Sequence, residues 1–405
     1  MSKVLIFTAP GHGHINPTLP VAQELIARGE EVVYYTTENF VPHVEAIGAT
    51  AHIYNSIFRT LAESFLSRAN SAGAQTMGMP FLMADEASHV LPQVLENARA
   101  ENADYVIYDP MCLWGRIVAQ MLQLPAITFR PTYAMDEGFS VMRMIANRIP
   151  RPDPEMMDRI RAKMSDLETT YGLSLPANPF SLMASMEALN IVFLPRVFQP
   201  HAELFDERFV FVGPSIAIRS DAQEAAQELD LTPTEEPLLF ISLGTVFNNR
   251  VEFFQQCFQA FGQQPLRVIM GCGTRIDRAS LGEVPANFQV HPYVPQLDVL
   301  RQTAAFITHG GMNSTMEALY YGIPLVVIPQ MVEQAMTARR VSELQLGLAI
   351  EPEQVTVEAL QAAVREVLNN PGYKERATQM QGEIQQAGGY TRAADAILAF
   401  RAQRS

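Results

Sequence analysis

The stretch VLIFTAPGHGHINPTLPVAQELIARGEEVVYY, residues 4–35, decides the architecture. Val4-Leu5-Ile6-Phe7 is an unbroken apolar run, as expected of a strand covered on both faces, and Pro10-Gly11 breaks it. Leu19, Ala22, Leu25 and Ile26 then recur at helical spacing, and Gly29 closes that helix. Val32-Val33-Tyr34-Tyr35 reads as the next strand. Strand, helix and strand in succession predict right-handed crossovers and a parallel sheet with helices on both faces.

The alternation continues outward. Asp104–Tyr108 is strand-like, Ile117 to Leu122 helical, and Ala126–Phe129 strand-like again. Residues 214–236, PSIAIRSDAQEAAQELDLTPTEE, are polar, acidic and turn-rich, and read as a linker. A second alternating set starts at Pro237, with strands expected at Leu238–Ile241, Arg267–Met270, Phe306-Ile307 and Leu325–Ile328. Residues 373–403 read as two helices split at Gly388-Gly389. The expected fold class is α/β, with two doubly wound, Rossmann-like sheets and a ligand between them at the C-terminal strand ends. Residues 55–95 and 131–185 break the alternation. They are long and rich in methionine, which packs softly against varied shapes and suits either a completed core or an adaptable apolar pocket.

The chain has 405 residues, enough for about two domains. Its 48% apolar and 18% charged content excludes a mainly disordered chain. A net charge of −14 makes nucleic acid and anionic membranes poor partners, though a local cradle can still hold one phosphate ligand. The three cysteines, Cys112, Cys257 and Cys272, are far apart and form no CxxC pair, which fits a reducing cytosol. No stretch reaches the roughly 18 apolar residues of a membrane span, so a soluble, cytoplasmic protein without membrane insertion is expected. No oligomeric state is implied.

The loop Pro10–Pro17 lies where a parallel sheet meets its ligand crevice. Two glycines permit a tight turn, Asn16 is suited to cap the following helix and Pro17 to open it. Histidine as a residue type can take a proton from a hydroxyl near neutrality, so His14 is a candidate base, or a packing residue of the loop. Asp109, at the end of the Tyr105–Tyr108 strand, is placed to reach it across neighbouring strands, or to start a turn with Pro110. A rival reading takes His12 and His14 as metal ligands of a hydrolase, with His291 and His309 near other strand ends.

The second half holds Thr308-His309-Gly310-Gly311-Met312-Asn313-Ser314-Thr315-Met316-Glu317. A strand entering a Gly-Gly turn and then a helix exposes backbone N–H groups at a positive helix end, which binds phosphate. Ser314 and Glu317 also match a capping box. Ser242-Leu243-Gly244-Thr245 is a second such loop. There is no Walker lysine loop and no GxGxxG, which disfavours kinases and dehydrogenases. Tyr293-Val294-Pro295-Gln296 follows another strand end, where a tyrosine suits stacking on a base. Glu333-Gln334 suits sugar hydroxyls.

Gly11–Pro17, Tyr293–Gln296, His309–Glu317, Glu333-Gln334 and Phe211-Val212-Gly213-Pro214 together resemble the UDP-dependent glycosyltransferases of the GT-B fold, in their bacterial macrolide and flavonoid branch. The resemblance implies an acceptor domain over residues 1–213, a linker over 214–236, a donor domain over 237–388, and a last helix over 389–405 that packs back on the first domain. It implies an inverting O-glycosyltransferase that moves a hexose, glucose first, from a UDP-sugar to a small aromatic or macrocyclic hydroxyl compound without a required metal or other cofactor. His14 would be the base and Asp109 its support. His309, Ser242, Gly244, Thr245, Gly311, Asn313, Ser314 and Thr315 would hold the diphosphate, Glu317 the ribose, Tyr293, Val294 and Gln296 the uracil, and Glu333 and Gln334 the sugar. Met77, Met79, Met111, Met135 and Met142 are candidates for the acceptor pocket. A non-catalytic nucleotide-sugar sensor would keep the donor residues and dispense with His14.

Overall fold

The apolar run of the first strand is shared between two cores. Val4 and Ile6 pack with Val21, Leu25 and Ile397 on one face, and Leu5 and Phe7 pack with Val90, Trp114 and Ile117 on the other. In the computed structural model, which describes residues 2–58, 60–61, 78–136, 154–217, 229–232, 234–244 and 250–404, every strand pairs in parallel. The first sheet contains β1 (Lys3–Phe7), β2 (Glu31–Thr36), β3 (Thr50–Ile53), β4 (Tyr105–Tyr108), β5 (Ala126–Arg130), β6 (Leu189–Val192) and β7 (Phe209–Phe211), in the order β3-β2-β1-β4-β5-β6-β7. The second contains β8 (Leu238–Ser242), β9 (Arg267–Gly271), β10 (Phe288–His291), β11 (Thr303–Thr308), β12 (Leu325–Val327) and β13 (Gly347–Ala349), in the order β10-β9-β8-β11-β12-β13. Strand order reverses between β1 and β4 in one sheet and between β8 and β11 in the other. Those reversals open a crevice at the C-terminal strand ends, which is where such sheets bind ligands.

The second sheet divides its apolar run in the same way. Leu239 and Ile241 pack with Phe254, Cys257 and Val364, while Phe240 stacks on Phe306 with ring centroids 4.6 Å apart. On the first sheet, the helix Leu113–Leu122 lies close because Gly115 has no side chain. A Cβ there would sit 2.8 Å from Cβ of Tyr108 and 2.9 Å from Cβ of Phe7. The Met-rich stretches contain two long helices, Met79–Ala100 and Pro154–Tyr171, which pack against each other and complete the core on that side.

The chain divides into two compact units, Met1–Ile216 with Ala387–Ser405, and Ala217–Gln386. Gly388 and Gly389 adopt positive φ, of 89° and 56°, and turn the chain between its last two helices. Gly389 N–H then bonds to Val212 O at 2.7 Å, and the helix Gly389–Ala402 lies on Leu19–Ala27 of the first unit. Arg401 donates to the buried Glu30 at 2.5 Å, and Arg28 pairs with Asp395. Within the stretch read as a linker, Asp230 N–H bonds to Gln289, and Arg267 donates to the carbonyls of Asp230 and Thr232. That end of the stretch is therefore part of the second unit.

Candidate functional site

At the β1/β4 reversal, the loop after β1 folds into one helical turn, His12–Ile15. It is closed by bonds from His14 N and Ile15 N to Gly11 O, at 2.9 and 3.0 Å. Asn16 continues this turn with right-handed helical dihedrals, and the longer helix Leu19–Ala27 is entered through Thr18. Asn16 therefore does not cap that helix. The extra turn moves the helix start beyond it, and Pro20 rather than Pro17 occupies the opening residues.

His14 is 30% exposed, and its Nδ1 lies 2.5 Å from Oδ2 of Asp109. Asp109 is almost wholly buried. Its other oxygen, Oδ1, accepts from the Met111 amide at 2.8 Å. One carboxylate thus performs both of the roles that its Asp-Pro sequence suggests, one with each oxygen. A carboxylate on Nδ1 holds the ring orientation and tautomer and assigns proton uptake to Nε2.

His12 turns elsewhere, edge-on to Phe40 with centroids 5.0 Å apart and 6.4 Å from the His43 ring. Among the described residues no three His, Cys, Asp or Glu side chains group around a position for a metal ion. The two histidines of the HxH pair diverge, so the hydrolase reading has no ligand set there.

At the β8/β11 reversal in the second unit, Gly244 N–H donates to Ser242 Oγ at 3.2 Å and Gly310 N–H to Thr308 Oγ1 at 3.3 Å. Both glycines have positive φ, 78° and 81°. The His309 ring fills the space that side chains on its neighbours would need. A Cβ on Gly244 would lie 2.6 Å from His309 Cε1, and one on Gly311 only 2.3 Å from Nε2. Gly311 then starts the helix Met312–Tyr320 and, as its N-cap residue, has no side chain to cap it. A helix start beside a histidine presents its backbone N–H end and positive dipole to an anion.

The capping box expected from Ser314 and Glu317 does not form. The helix begins at Met312, so Ser314 is already inside its first turn. Glu317 instead accepts from Gln296 Nε2 at 2.6 Å, and the same nitrogen reaches Ser314 Oγ at 3.3 Å. The motif residues Gln296, Ser314 and Glu317 are thereby joined in one polar group.

Burial pushes the His309 imidazole down to about 4. The ring is neutral at pH 7 and acts there as a hydrogen-bonding group, while the positive potential comes from the helix end. An unfolded histidine titrates at about 6.5. Between the two values the unfolded chain holds one more proton, so stability is lost as pH falls through that window. The loss is about 1.4 kcal/mol per pH unit. Urea unfolding of the second unit at several pH values should show this slope in the native protein and lose it in His309→Asn.

The other motif residues divide by exposure. Tyr293 is exposed, whereas Val294 is buried and would be 3.5 Å from a Cβ placed on Gly271. Asn313 and Ser314 are half-buried in the first helical turn. Thr315 is wholly buried, with its amide bonded to Gly311 O. Glu333 sits in the first turn of the helix Val332–Glu343, and Gln334 Oε1 accepts from Gln330 N–H at 2.7 Å. Met79 and Met111 pack against the core of the first unit, and Met135 is buried. Thr245, Met77 and Met142 lie outside the described residues. Sequence reading placed Thr308 in the motif without a role of its own, and missed Gly271 beside Ser242 and Val294. Glycine at the end of β9 was the available signal for Gly271.

Residues 3–383 match the family described as UDP-glucoronosyl and UDP-glucosyl transferase. The NDP-glycosyltransferase YjiC of Bacillus subtilis is 39% identical over 398 residues, covering 98% of this chain and 97% of that one. The demethyllactenocin mycarosyltransferase of Streptomyces fradiae is 33% identical over 98% of this chain and 86% of its own. Among solved structures, CalG4, the calicheamicin glycosyltransferase, superimposes with a TM-score of 0.85 at 32% identity, covering 99% of this chain and 98% of its own. Two Rossmann-like parallel sheets, glycine-bearing loops at both strand reversals and similarity along the whole length agree: the chain is a GT-B enzyme and belongs to the UDP-glucoronosyl and UDP-glucosyl transferase family.

Proposed function

We propose that this enzyme is an inverting O-glycosyltransferase that moves a hexose, glucose first, from a UDP-sugar to a hydroxyl of a small aromatic or macrocyclic compound. The observation that carries this reading is the 2.5 Å pairing of His14 Nδ1 with the buried Asp109. The acceptor hydroxyl gives its proton to His14 Nε2. Its oxygen forms a bond to the anomeric carbon as the bond from that carbon to the diphosphate breaks, and UDP departs with the electron pair. Attack from the side opposite the leaving group inverts the anomeric centre. A phenol with pKa about 10 is mostly neutral at pH 7, so a positioned base is useful to it.

The departing diphosphate develops charge where the helix start at Met312, His309, Ser242 and the Asn313-Ser314 turn supply donors. These groups meet the charge without a metal in this reading. Glu317 is assigned to ribose hydroxyls, Val294 and Gln296 to the uracil with Tyr293 suited to stack on it, and Glu333 with Gln334 to the sugar. The acceptor class is supported by relatives named for demethyllactenocin and calicheamicin, and the glucosyl donor by the family description. Among the described residues no helix is long and apolar enough to cross a membrane. Three buried free thiols, Cys112, Cys257 and Cys272, support assignment of the reaction to the cytoplasm.

The test is transfer itself. Purified enzyme is given UDP-glucose, UDP-galactose or TDP-glucose with phenolic and macrolide acceptors, and products are read by mass spectrometry and NMR. The expected product is a β-glucoside from the α-configured UDP-glucose. A retained configuration, or donor hydrolysis without transfer, defeats the assignment.

A further inference from the structure

Thr8, Tyr34 and Thr18 bury three hydroxyl groups at the base of the His14 loop, with exposures of 0%, 0% and 1%. Tyr34 on β2 is in register with Ile6 on β1, and Thr8 lies two residues further along the same side. Thr8 leaves the sheet at the entry of the loop, and Thr18 rejoins the fold at its exit. Tyr34 OH lies 2.9 Å from Thr8 Oγ1 and 2.6 Å from Thr18 Oγ1. Thr18 Oγ1 donates to Ile15 O at 2.8 Å, and its amide bonds to the same carbonyl at 2.9 Å.

A hydroxyl has one proton to give. Thr18 spends its proton on Ile15 O, so Tyr34 donates to Thr18 and Thr8 donates to Tyr34. The chain runs one way, Thr8 to Tyr34 to Thr18 to Ile15, and ends on the carbonyl of the residue after His14. Tyr54 OH holds the other end through Thr8 O at 3.3 Å. Apolar side chains of similar shape would fill this volume at nearly equal stability. What the hydroxyls add is direction: they fix the two ends of the loop to one phenol.

We propose that Tyr34, with Thr8 and Thr18, is a positioning residue for His14, locking the loop so that the imidazole meets both Asp109 and the acceptor hydroxyl. This rests on His14 being the base. A small displacement of a reacting group costs one to two orders of magnitude in rate, so the effect belongs in kcat.

The test compares Tyr34→Phe, Thr18→Val and Thr18→Ser with the native enzyme and with His14→Ala, well below the melting temperature of each. Tyr34→Phe and Thr18→Val should each lower kcat about tenfold, leave UDP affinity unchanged and shift or abolish the downfield proton resonance of the His14–Asp109 hydrogen bond. Thr18→Ser should restore both. Native kcat and an unmoved resonance in Tyr34→Phe and Thr18→Val, even with a lowered melting temperature, overturn the proposal and leave the base assignment standing if His14→Ala is inactive. If His14→Ala keeps native turnover, the base reading fails, and the relay fails with it whatever the other variants do.

Discussion

His14→Ala lowers kcat about a thousandfold, within the range that general base catalysis supplies. UDP affinity stays at the native value, because His14 belongs to the first unit and the loops proposed to hold UDP belong to the second. The substitution also removes the side chain paired with a buried carboxylate, and Asp109 keeps only the Met111 amide on its other oxygen. Stability should therefore fall by about 1–2 kcal/mol, and kinetics must be read well below the melting temperature. Asp109→Asn leaves the ring in place but withdraws its charged partner, and a smaller loss of kcat, about a hundredfold, is expected. Steady-state kinetics with saturating donor, together with calorimetry of UDP binding, separate the two effects. Native turnover in His14→Ala would show that another group takes the proton.

Gly311→Ala weakens UDP binding by about ten- to a hundredfold, the worth of a hydrogen bond to a charged partner. The backbone at Gly311, with φ −60° and ψ 137°, suits alanine, so no dihedral strain confuses the result. The added methyl would lie 2.3 Å from His309 Nε2 and must push the imidazole aside. The same ring atoms also lie close to where a Cβ on Gly244 would sit, 2.6 Å from Cε1. The variant tests the placement of His309 while leaving the imidazole present. Isothermal titration with UDP measures it, and native affinity would mean that the ring is not a diphosphate contact. Gly244→Ala is a poorer probe, since its φ of 78° adds backbone strain to the same collision.

How much of this was written in the sequence follows from the range of each interaction. Val4–Phe7 and Leu238–Ile241 announced buried parallel strands because a strand covered on both faces cannot alternate. The loops at His14 and His309 were visible because glycines mark the strand ends where chain and ligand approach closely. The short strands β3, β6, β7 and β13 were not recognised. They have three or four residues, and Thr50, His52 and Asn190 interrupt their apolar character. Ser314 and Glu317 misled because the S-x-x-E pattern is local, whereas the partner that Glu317 takes, Gln296, lies 21 residues away. Asn16 misled for a similar reason, since the intervening turn at His12–Ile15 displaced the helix start. The Thr8–Tyr34–Thr18 chain needs the β1/β2 register before it can be seen at all.

Because the closing helix returns to lie on Leu19–Ala27, the first unit is made of two separated pieces of chain with the second unit inserted between them. A ribosome must release the entire second unit before the first can finish folding. For engineering, a chimaera that exchanges residues before 217 alone would confront a foreign sheet with the native Ala393, Ala394 and Ile397 face and strand Arg401 without Glu30. Recombination that keeps the core intact carries both pieces together and makes its cuts near Ile216 and Ala387.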